Sequence, residues 1–253
     1  MDERWSYGFH AVTAALRHQP QAIVELWLAR DQRGPRSERL QEAARAAGIS
    51  VRLVERARLD GLFGAAAHQG VAIRLAGHAP RAQGAVEVVE VARAAGASAL
   101  IVVLDGVQDP RNLGACVRSA EGLGALGVVV PRDRTAGLTP AARKVASGAA
   151  ERLPLWVVTN LVRTLEAVKR EGLWVVGLGG RDDPPLDTLD LSGPVCLVVG
   201  AEGDGLRART RQACDLLGGI PLAPDSESLN VAVAAGIGLF EIARQRRSTQ
   251  HTR

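Results

Sequence analysis

The sequence has few cysteines, no long apolar run and no apolar leader. Its three cysteines, Cys116, Cys196 and Cys214, form no CxxC pair. This spacing indicates a reducing compartment and provides neither a disulfide framework nor a zinc site. No apolar run approaches the roughly 20 residues of a membrane span, and the opening MDERWSYGFH carries acids where a signal peptide is apolar. We therefore expect a cytoplasmic protein with no metal and no membrane partner.

Aromatic residues and lysine are also scarce. Aromatics make up only 3% of the 253 residues, and lysine occurs only at Lys144 and Lys169. Few aromatics argue against RNA binding by stacking platforms. The other 29 basic residues are arginines, whose forked guanidinium suits phosphate, although codon bias explains the same composition. Of the formal net charge of +4, residues 1–75 carry +3, which leaves a nucleic-acid partner open.

The first 76 residues alternate between helical and strand patterns. Helical patterns cover 9–19 and 37–48, and strand patterns cover 22–29, 50–55 and 70–76. Ser37 is predicted to cap the second helix. We assign residues 1–76 to a small α/β domain. Residues 77–96, which begin GHAPRAQG, are assigned to a linker because Gly, Pro and polar residues cluster there.

Residues 97–253 are predicted to form a second, larger domain. Its apolar strand patterns cover 99–104, 126–131, 153–158, 173–179, 194–200 and 218–223. Strands that are apolar on both faces predict a parallel sheet covered by helices. A final helix is predicted from about Ser228 to Arg247. The residues expected to face the core from this region are Leu229, Val233, Ile237 and Phe240.

The first of three unusual segments is DPRNLGACVRSAEGLG, residues 109–124. Asp109 can cap a helix and Pro110 suits its first position. Asn112 would then lie in the first turn, among unpaired backbone N–H groups. Arg118, almost two turns later, also fits a plain surface pair with Glu121. Taken alone, this segment indicates a helix start rather than a site.

The second segment is LVVGAEGDGL, residues 197–206. A buried strand leads into a glycine-rich loop, which is where open α/β sheets bind ligands. The glycine spacing is not GxGxxG, and no acid ends the next strand, so the pattern does not predict a dinucleotide site. The glycines around Glu202 indicate either a loop that closely approaches a ligand or a tight turn.

The third segment is IPLAPDSESLNVAVAAG, residues 220–236. Pro221 and Pro224 stiffen an irregular approach to the final helix. Ser228 or Asn230 is predicted to cap that helix. A long ordered approach is unusual for a cap alone, which indicates a second purpose for this loop.

Together the three segments resemble the motifs of the SpoU/TrmH branch of the SPOUT superfamily of S-adenosylmethionine-dependent RNA methyltransferases. They match N-x-G-x-x-x-R, G-x-E-x-x-G-[LM] and S-L-N-V-x-x-A, and the likeness extends over nearly the whole chain. The resemblance implies an α/β fold: an L30e-like substrate-binding domain, then a parallel-sheet domain with a deep trefoil knot, a rare topology. It also implies a homodimer. The type it resembles most methylates a guanosine ribose 2′-oxygen of 23S rRNA, as naked RNA or in a large-subunit assembly particle.

The resemblance also implies the residues of the site. It assigns catalysis to Arg118, Asn112, Glu202, Ser228 and Asn230. It assigns contacts with S-adenosyl-L-methionine to Gly200, Ile220, Leu222, Leu229 and Asn230. Two departures alter the hydrogen bonding expected there: Ala232 stands where many relatives have Ser, and APDSE replaces a glycine-containing loop.

No histidine lies in the three segments, since His10, His18, His68 and His78 precede them and His251 follows. Histidine bases and Ser-His-Asp triads are therefore not predicted. A guanidinium is almost never deprotonated, so Arg118 is expected to stabilise a developing alkoxide rather than abstract a proton. The alternatives are a tRNA ribose methyltransferase of the same branch, a catalytically silent rRNA-binding relative and, from another class, an NAD-binding Rossmann dehydrogenase.

Overall fold

The computed structural model describes residues 4–64, 68–76, 84–226 and 228–250. The chain forms two compact units: an N-terminal unit of residues 1–79 and 137–152, and a C-terminal unit of residues 80–136 and 153–253. This division differs from the prediction, because residues 137–152 group with the N-terminal unit although they follow residue 97 in sequence. Residues 77–83 of the predicted linker, with His78, and residues 251–253, with His251, lie outside the described part of the chain.

The N-terminal unit is a four-stranded mixed sheet with helices on both faces. The strand order is β1-β4-β2-β3, with β2 and β3 parallel and the other pairs antiparallel. The strands are β1 (Arg4–Tyr7), β2 (Ile23–Ala29), β3 (Ser50–Val54) and β4 (Val71–Leu75). The helices are α1 (Phe9–His18), α2 (Pro35–Ala46), α3 (Arg56–Phe63) and, from the later segment, α6 (Pro140–Ala146). The sequence analysis did not predict β1 or α3.

Successive side chains along a strand point to opposite faces of the sheet, so this unit has two hydrophobic cores, one on each face. Leu26 and Leu28 of β2 face α1 and α2, whereas Trp27 and Ala29 face α3, as the two-residue period of a strand requires. The predicted helix cap at Ser37 is wrong. The helix α2 starts earlier, at Pro35, and Ser37 is buried in its first turn, where its hydroxyl donates to Gly34 O at 2.8 Å.

The C-terminal unit is a six-stranded sheet of order β10-β8-β9-β5-β6-β7, and every pairing in it is parallel. The strands are β5 (Leu100–Asp105), β6 (Gly127–Pro131), β7 (Leu155–Val158), β8 (Trp174–Leu178), β9 (Val195–Gly200) and β10 (Leu216–Gly218). The helices are α4 (Gly84–Ala95), α5 (Pro110–Gly122), α7 (Leu161–Arg170), α8 (Ala208–Ala213) and α9 (Val231–Gln250). The predicted parallel α/β sheet is confirmed, and the trefoil knot stays a prediction.

Three predicted elements of this unit need correction. Residues 84–95 are not linker but helix α4, whose Val88 and Ala92 are fully buried in the core. The predicted strand 218–223 is shifted, because β10 pairs with β8 only up to Gly218. Beyond that point the chain contains Pro221, which cannot donate to a ladder.

The predicted inner face of α9 is wrong. Val233, Ile237 and Phe240 are 50%, 38% and 53% exposed. The residues that this helix buries are Val231, Ala235, Leu239 and Ile242. Its sequence is apolar on two sides, so periodicity alone could not identify the side that packs against α5 and β9.

Candidate active site

The three segments meet at the carboxyl ends of two neighbouring strands, β5 and β9. The chain runs outward from β5 through β6 and β7, whereas β9 lies on the other side of β5. This reversal is the switch point at which open parallel sheets bind ligands. The first segment follows β5 and the second follows β9, so the topology brings them to the same edge.

Helix α5 presents Asn112 at this edge. Asp109 caps the helix, its side chain accepting from Arg111 N at 2.6 Å, and Pro110 occupies the first helical position. Both features agree with the sequence analysis. Asn112 lies in the first turn and donates from Nδ2 to Glu202 Oε2 at 3.1 Å.

Glu202 stands on a tight turn. Ala201 and Gly205 exchange both backbone hydrogen bonds, at 3.0 and 2.9 Å, and Gly203 and Gly205 have φ of +82° and +64°, a region that favours glycine. A Cβ on Gly200 would lie 2.1 Å from the carbonyl carbon of Gly205. The glycines thus allow the turn to fold back on β9 and to present Glu202. The sequence left a ligand-approaching loop and a tight turn as alternatives, and the structure shows a tight turn that carries the Glu202 carboxylate.

Asn230 completes the network and caps α9. Its Oδ1 accepts from Ala232 N at 3.0 Å and from Val233 N at 3.4 Å. Its Nδ2 donates to Asn112 Oδ1 at 3.0 Å and to Glu202 Oε1 at 3.4 Å. Of the two predicted caps, Asn230 is the one that the structure uses. The two amides therefore hold both oxygens of Glu202.

A cavity of about 360 Å³ lies against this network. It has the size of a small-molecule site. Four of the five residues predicted to contact the cofactor line it: Gly200, Ile220, Leu222 and Leu229. Asn230, the fifth, is not among the lining residues. Ile220 and Leu222 come from the predicted strand 218–223, which instead forms a wall of the cavity.

The two other predicted catalytic residues occupy different positions. Ser228 is exposed and lines the cavity. Arg118 is exposed on α5, outside the cavity lining. Arg118 has no hydrogen bond or ion pair of its own within the described residues. Its guanidinium is therefore available to a ligand.

Sequence reasoning missed Arg181, which follows β8. Its guanidinium donates to the carbonyl oxygens of Pro224 at 2.8 Å and of Ala223 at 3.0 Å, and also to that of Ser226. Arg181 itself lines the cavity. It therefore fixes the loop that carries Leu222 and Ser228. A lone arginine after a strand gives no sequence signal of this role, because its acceptors are backbone atoms 42 to 45 residues away.

An ion pair between a buried carboxylate and an exposed arginine fixes the end of β5. Asp105 is fully buried and accepts from Arg207 Nε at 2.6 Å and from Arg207 N at 3.3 Å. Arg207 directly precedes α8 and thus connects the end of the glycine-rich loop to β5. The available signal was Asp105 itself, the only charge in an apolar strand, since a buried carboxylate needs a partner.

Chemically, the cavity fits S-adenosylmethionine. Leu178, Ile220 and Leu222 provide apolar wall, suited to an adenine ring. At Gly179, another lining residue, a Cβ would lie 2.0 Å from Asp183 Oδ2, so glycine is what lets the Asp183 carboxylate pack there and accept from Gly180 N at 2.8 Å. The carboxylate of Glu202 faces the same cavity and complements a cationic centre. Among the described residues no cluster of three or more His, Cys, Asp or Glu could hold a metal ion.

Comparison with known proteins agrees with this architecture. The SpoU rRNA Methylase family matches residues 99–240, and a family described as RNA 2′-O ribose methyltransferase substrate binding matches residues 5–80. The chain is 47% identical over 240 residues to the 23S rRNA (guanosine-2′-O-)-methyltransferase RlmB of Pseudomonas aeruginosa, covering 95% of this chain and 96% of that protein.

Solved structures are similar over the same extent. The SpoU methyltransferase AviRb from Streptomyces viridochromogenes has a TM-score of 0.82 at 24% identity. The match covers 98% of this chain and 91% of the AviRb chain. An AdoMet-bound rRNA methyltransferase from Sinorhizobium meliloti has a TM-score of 0.77 at 25% identity. The match covers 96% of this chain and 87% of that one. The methylase family matches more than half of the chain, and 95% of the chain aligns with an RlmB at 47% identity, so the chain belongs to the SpoU rRNA methylase family.

Proposed function

We propose that the protein transfers a methyl group from S-adenosylmethionine to the ribose 2′-oxygen of a guanosine in 23S rRNA. The observation that carries the proposal is the Asn112–Glu202–Asn230 network against the cavity. The helix that supplies Asn112 also carries Arg118, which has no partner among the described residues. Coverage of both chains at 95% and 96% by an RlmB relative supports the rRNA substrate over a tRNA substrate. A cytoplasmic location is part of the proposal because ribosomal RNA is the substrate.

The cofactor would lie in the cavity, held by the backbone of the 200–206 turn and by Ile220, Leu222 and Leu229. When bound, it supplies an electrophilic methyl group on a cationic sulfur. Gly200 lets the turn approach because a side chain there has no space. Arg181 holds the 223–226 loop, next to the lining residues Leu222 and Ser228, in one conformation through three hydrogen bonds to its carbonyl oxygens.

Catalysis then depends on how the chain's side chains treat the target hydroxyl. A ribose hydroxyl is a very weak acid, and negative charge develops on its oxygen as its proton is lost, which makes the oxygen a nucleophile for the methyl group. Arg118 would stabilise that charge through N–H donors, an effect that is often the largest single contribution to catalysis. Glu202, fixed by two amides, retains lone pairs that can orient the hydroxyl or the Arg118 guanidinium. Ser228 lies on the cavity wall as a further hydroxyl donor.

A homodimer is the second part of the proposal. Val233, Ile237 and Phe240 are exposed at positions i, i+4 and i+7 of α9. Such a contiguous apolar stripe marks an interaction surface. The stripe begins three residues after Asn230, so a second subunit seated on it would lie next to the network and could complete the site.

The test is methyl transfer from S-adenosylmethionine with a labelled methyl group to unmodified 23S rRNA. Wild type should give label at one guanosine, mapped by its resistance to alkaline cleavage. Arg118→Ala should lower kcat by about 100-fold or more, as for other lost oxyanion donors, without changing cofactor affinity. Arg45→Ala, which removes an exposed arginine from α2, is the control. Label on tRNA alone would contradict the substrate, and none on either RNA would contradict the activity.

A further inference from the structure

A basic groove of about 580 Å³ opens on the face of the N-terminal unit that carries α1 and α2. Helices α1 and α2 form its walls, and the 137–152 segment adds Ser147 and Arg152. Apolar side chains such as Leu16 and Leu40 form its base. Six basic residues line it: His10, Arg17, His18, Arg36, Arg39 and Arg152. None of the described residues that line it carries a carboxylate.

Five of these six basic side chains are exposed and have no hydrogen bond or ion pair within the described part of the chain: His10, Arg17, His18, Arg36 and Arg39. Four other arginines of the unit are paired with acids. Arg56 bonds Asp31 at 2.6 Å, and Arg74 bonds Glu25 at 2.7 Å. The pairs neutralise acids elsewhere in the unit, whereas the groove keeps its positive charge.

The geometry of α2 keeps its acids out of the groove. Arg36, Arg39, Leu40 and Ala43 follow the i, i+3, i+4, i+7 pattern of one helix face and line the groove. Glu38, Glu42 and Arg45 share the same spacing on another face and do not line it. Helix α1 has no acidic residue at all. Charge of one sign is therefore concentrated in one concave surface.

We propose that this groove is the surface by which the N-terminal unit binds the phosphate backbone of the substrate RNA. The inference rests on the proposed function and identifies where in this unit the RNA is held. Arginines without a partner among the described residues can form bidentate contacts with phosphate. The groove includes one aromatic ring, Phe9, so binding depends on charge rather than on stacked bases.

The opposite face of the same sheet provides a natural comparison. There Arg52 and Arg58 lie over the Trp27 ring, with their guanidinium carbons 5.4 and 4.8 Å from its centroid. The cavity beside them also contains Glu25, whose carboxylate would repel a phosphate. These two arginines are already engaged with the ring, so they fit RNA less well than the arginines of the groove.

The experiment compares charge-matched double variants of the full-length protein. Arg36→Gln/Arg39→Gln removes two charges from the groove, and Arg52→Gln/Arg58→Gln removes two from the Trp27 face. Arg45→Gln is a same-helix control. Binding of an in vitro transcript of 23S rRNA is measured at several salt concentrations. The groove variant should bind about 10-fold more weakly, and the magnitude of its log K versus log[salt] slope should fall by about 1 to 2.

The groove variant should also raise KM for RNA at unchanged kcat, and its affinity for S-adenosylmethionine should equal that of wild type. Unchanged RNA affinity and slope in this variant, with methylation of 23S rRNA intact in wild type, would overturn the groove and leave the proposed function standing. Wild type that neither binds nor methylates 23S rRNA would overturn both.

Cross-linking of wild type tests the surface without any substitution. With a 4-thiouridine transcript, cross-linked peptides should come from α1 and α2. Cross-links in the N-terminal unit that fall only on β3 and α3 would place the RNA on the Trp27 face. Competition by an acidic polypeptide, but not by RNA, would instead indicate a protein partner. Either result contradicts the proposal.

Discussion

Asn230 uses the two ends of one amide for two purposes. Its oxygen accepts from the first free N–H groups of α9, and its nitrogen donates to Asn112 and Glu202. The N–H groups of Ala232 and Val233 require the amide oxygen on their side. The start of the helix therefore determines the direction in which the donor points.

Substitutions at Asn230 can remove the donor to Asn112 and Glu202 while they keep the helix cap. Asn230→Asp keeps an acceptor for the cap but removes the donor and places a second carboxylate beside Glu202. Its free energy of unfolding should stay close to that of wild type, whereas methyl transfer should fall by 10-fold or more. Asn230→Ala should lose activity and also about 1 kcal/mol of stability. Thermal unfolding and methyl-transfer assays on both variants check this, and full activity in Asn230→Asp would contradict the role of the network.

Arg181 acts on the cavity through backbone acceptors. Arg181→Ala removes all its bonds to the 223–226 loop, so the Kd for S-adenosylmethionine should rise about 10-fold by calorimetry. Arg181→Lys should give an intermediate Kd, because an ammonium lacks the planar fork that reaches several carbonyls. Arg209→Ala, an exposed arginine outside the cavity lining, is the control. Equal affinities in all three variants would show that the loop holds its shape without Arg181.

At the scale of elements, helices and strands carry the cysteines inward. Burial raises the pKa of the Cys116 thiol on α5 to about 12 and that of Cys214 to about 11. It also raises the pKa of Cys196 on β9. None of the three is in a disulfide. Because the thiolate is the reactive form, these thiols should be inert at neutral pH.

Thiol titration tests this. Native protein at pH 8 should react slowly with an aromatic disulfide reagent, and denatured protein should release three equivalents at once. The native rate should rise steadily with pH until Cys214, the least buried thiol, is half ionised near pH 11. One fast equivalent at pH 7 would contradict the assignment of all three as structural.

Element boundaries also show where sequence patterns suffice. The parallel strands β5, β6, β7, β8 and β9 were predicted to within two residues, since runs of Val, Leu and Ile end at turn residues. Strand β10 was misplaced because Ile220 and Leu222 are apolar for a cavity wall rather than for a strand. Helix α4 was mistaken for linker because the GHAPRAQG cluster before it suggested a longer irregular segment.

At the scale of the whole molecule, the apolar stripe on α9 leads to a prediction about assembly. Phe240→Glu combined with Ile237→Glu should convert a dimer to a monomer in light-scattering measurements, because two charges would be buried without partners in the interface. Both side chains are exposed in the subunit, so helical content should not change. Val86→Glu, at a 61% exposed position on α4, is the control. A wild-type monomer, or a double variant that remains dimeric, would contradict the proposal. None of the described helices is long and apolar enough to cross a bilayer.

The sequence by itself determined what depends on neighbours along the chain. It contained the glycines of the 200–206 turn, the start of α5 at Asp109 and Pro110, and motif residues whose resemblance to a family identified the reaction class. These are local properties, because backbone freedom, capping and strand period are set within a few residues.

Only the tertiary structure decided how distant segments combine. Asn112 meets Glu202 across 90 residues and Asn230 across 118, because parallel strands bring their carboxyl ends to one edge. Packing selected which apolar face of α9 is buried, and grouping in space assigned residues 137–152 to the N-terminal unit. Such choices depend on which surfaces become neighbours after folding, and no periodicity within a single segment encodes them.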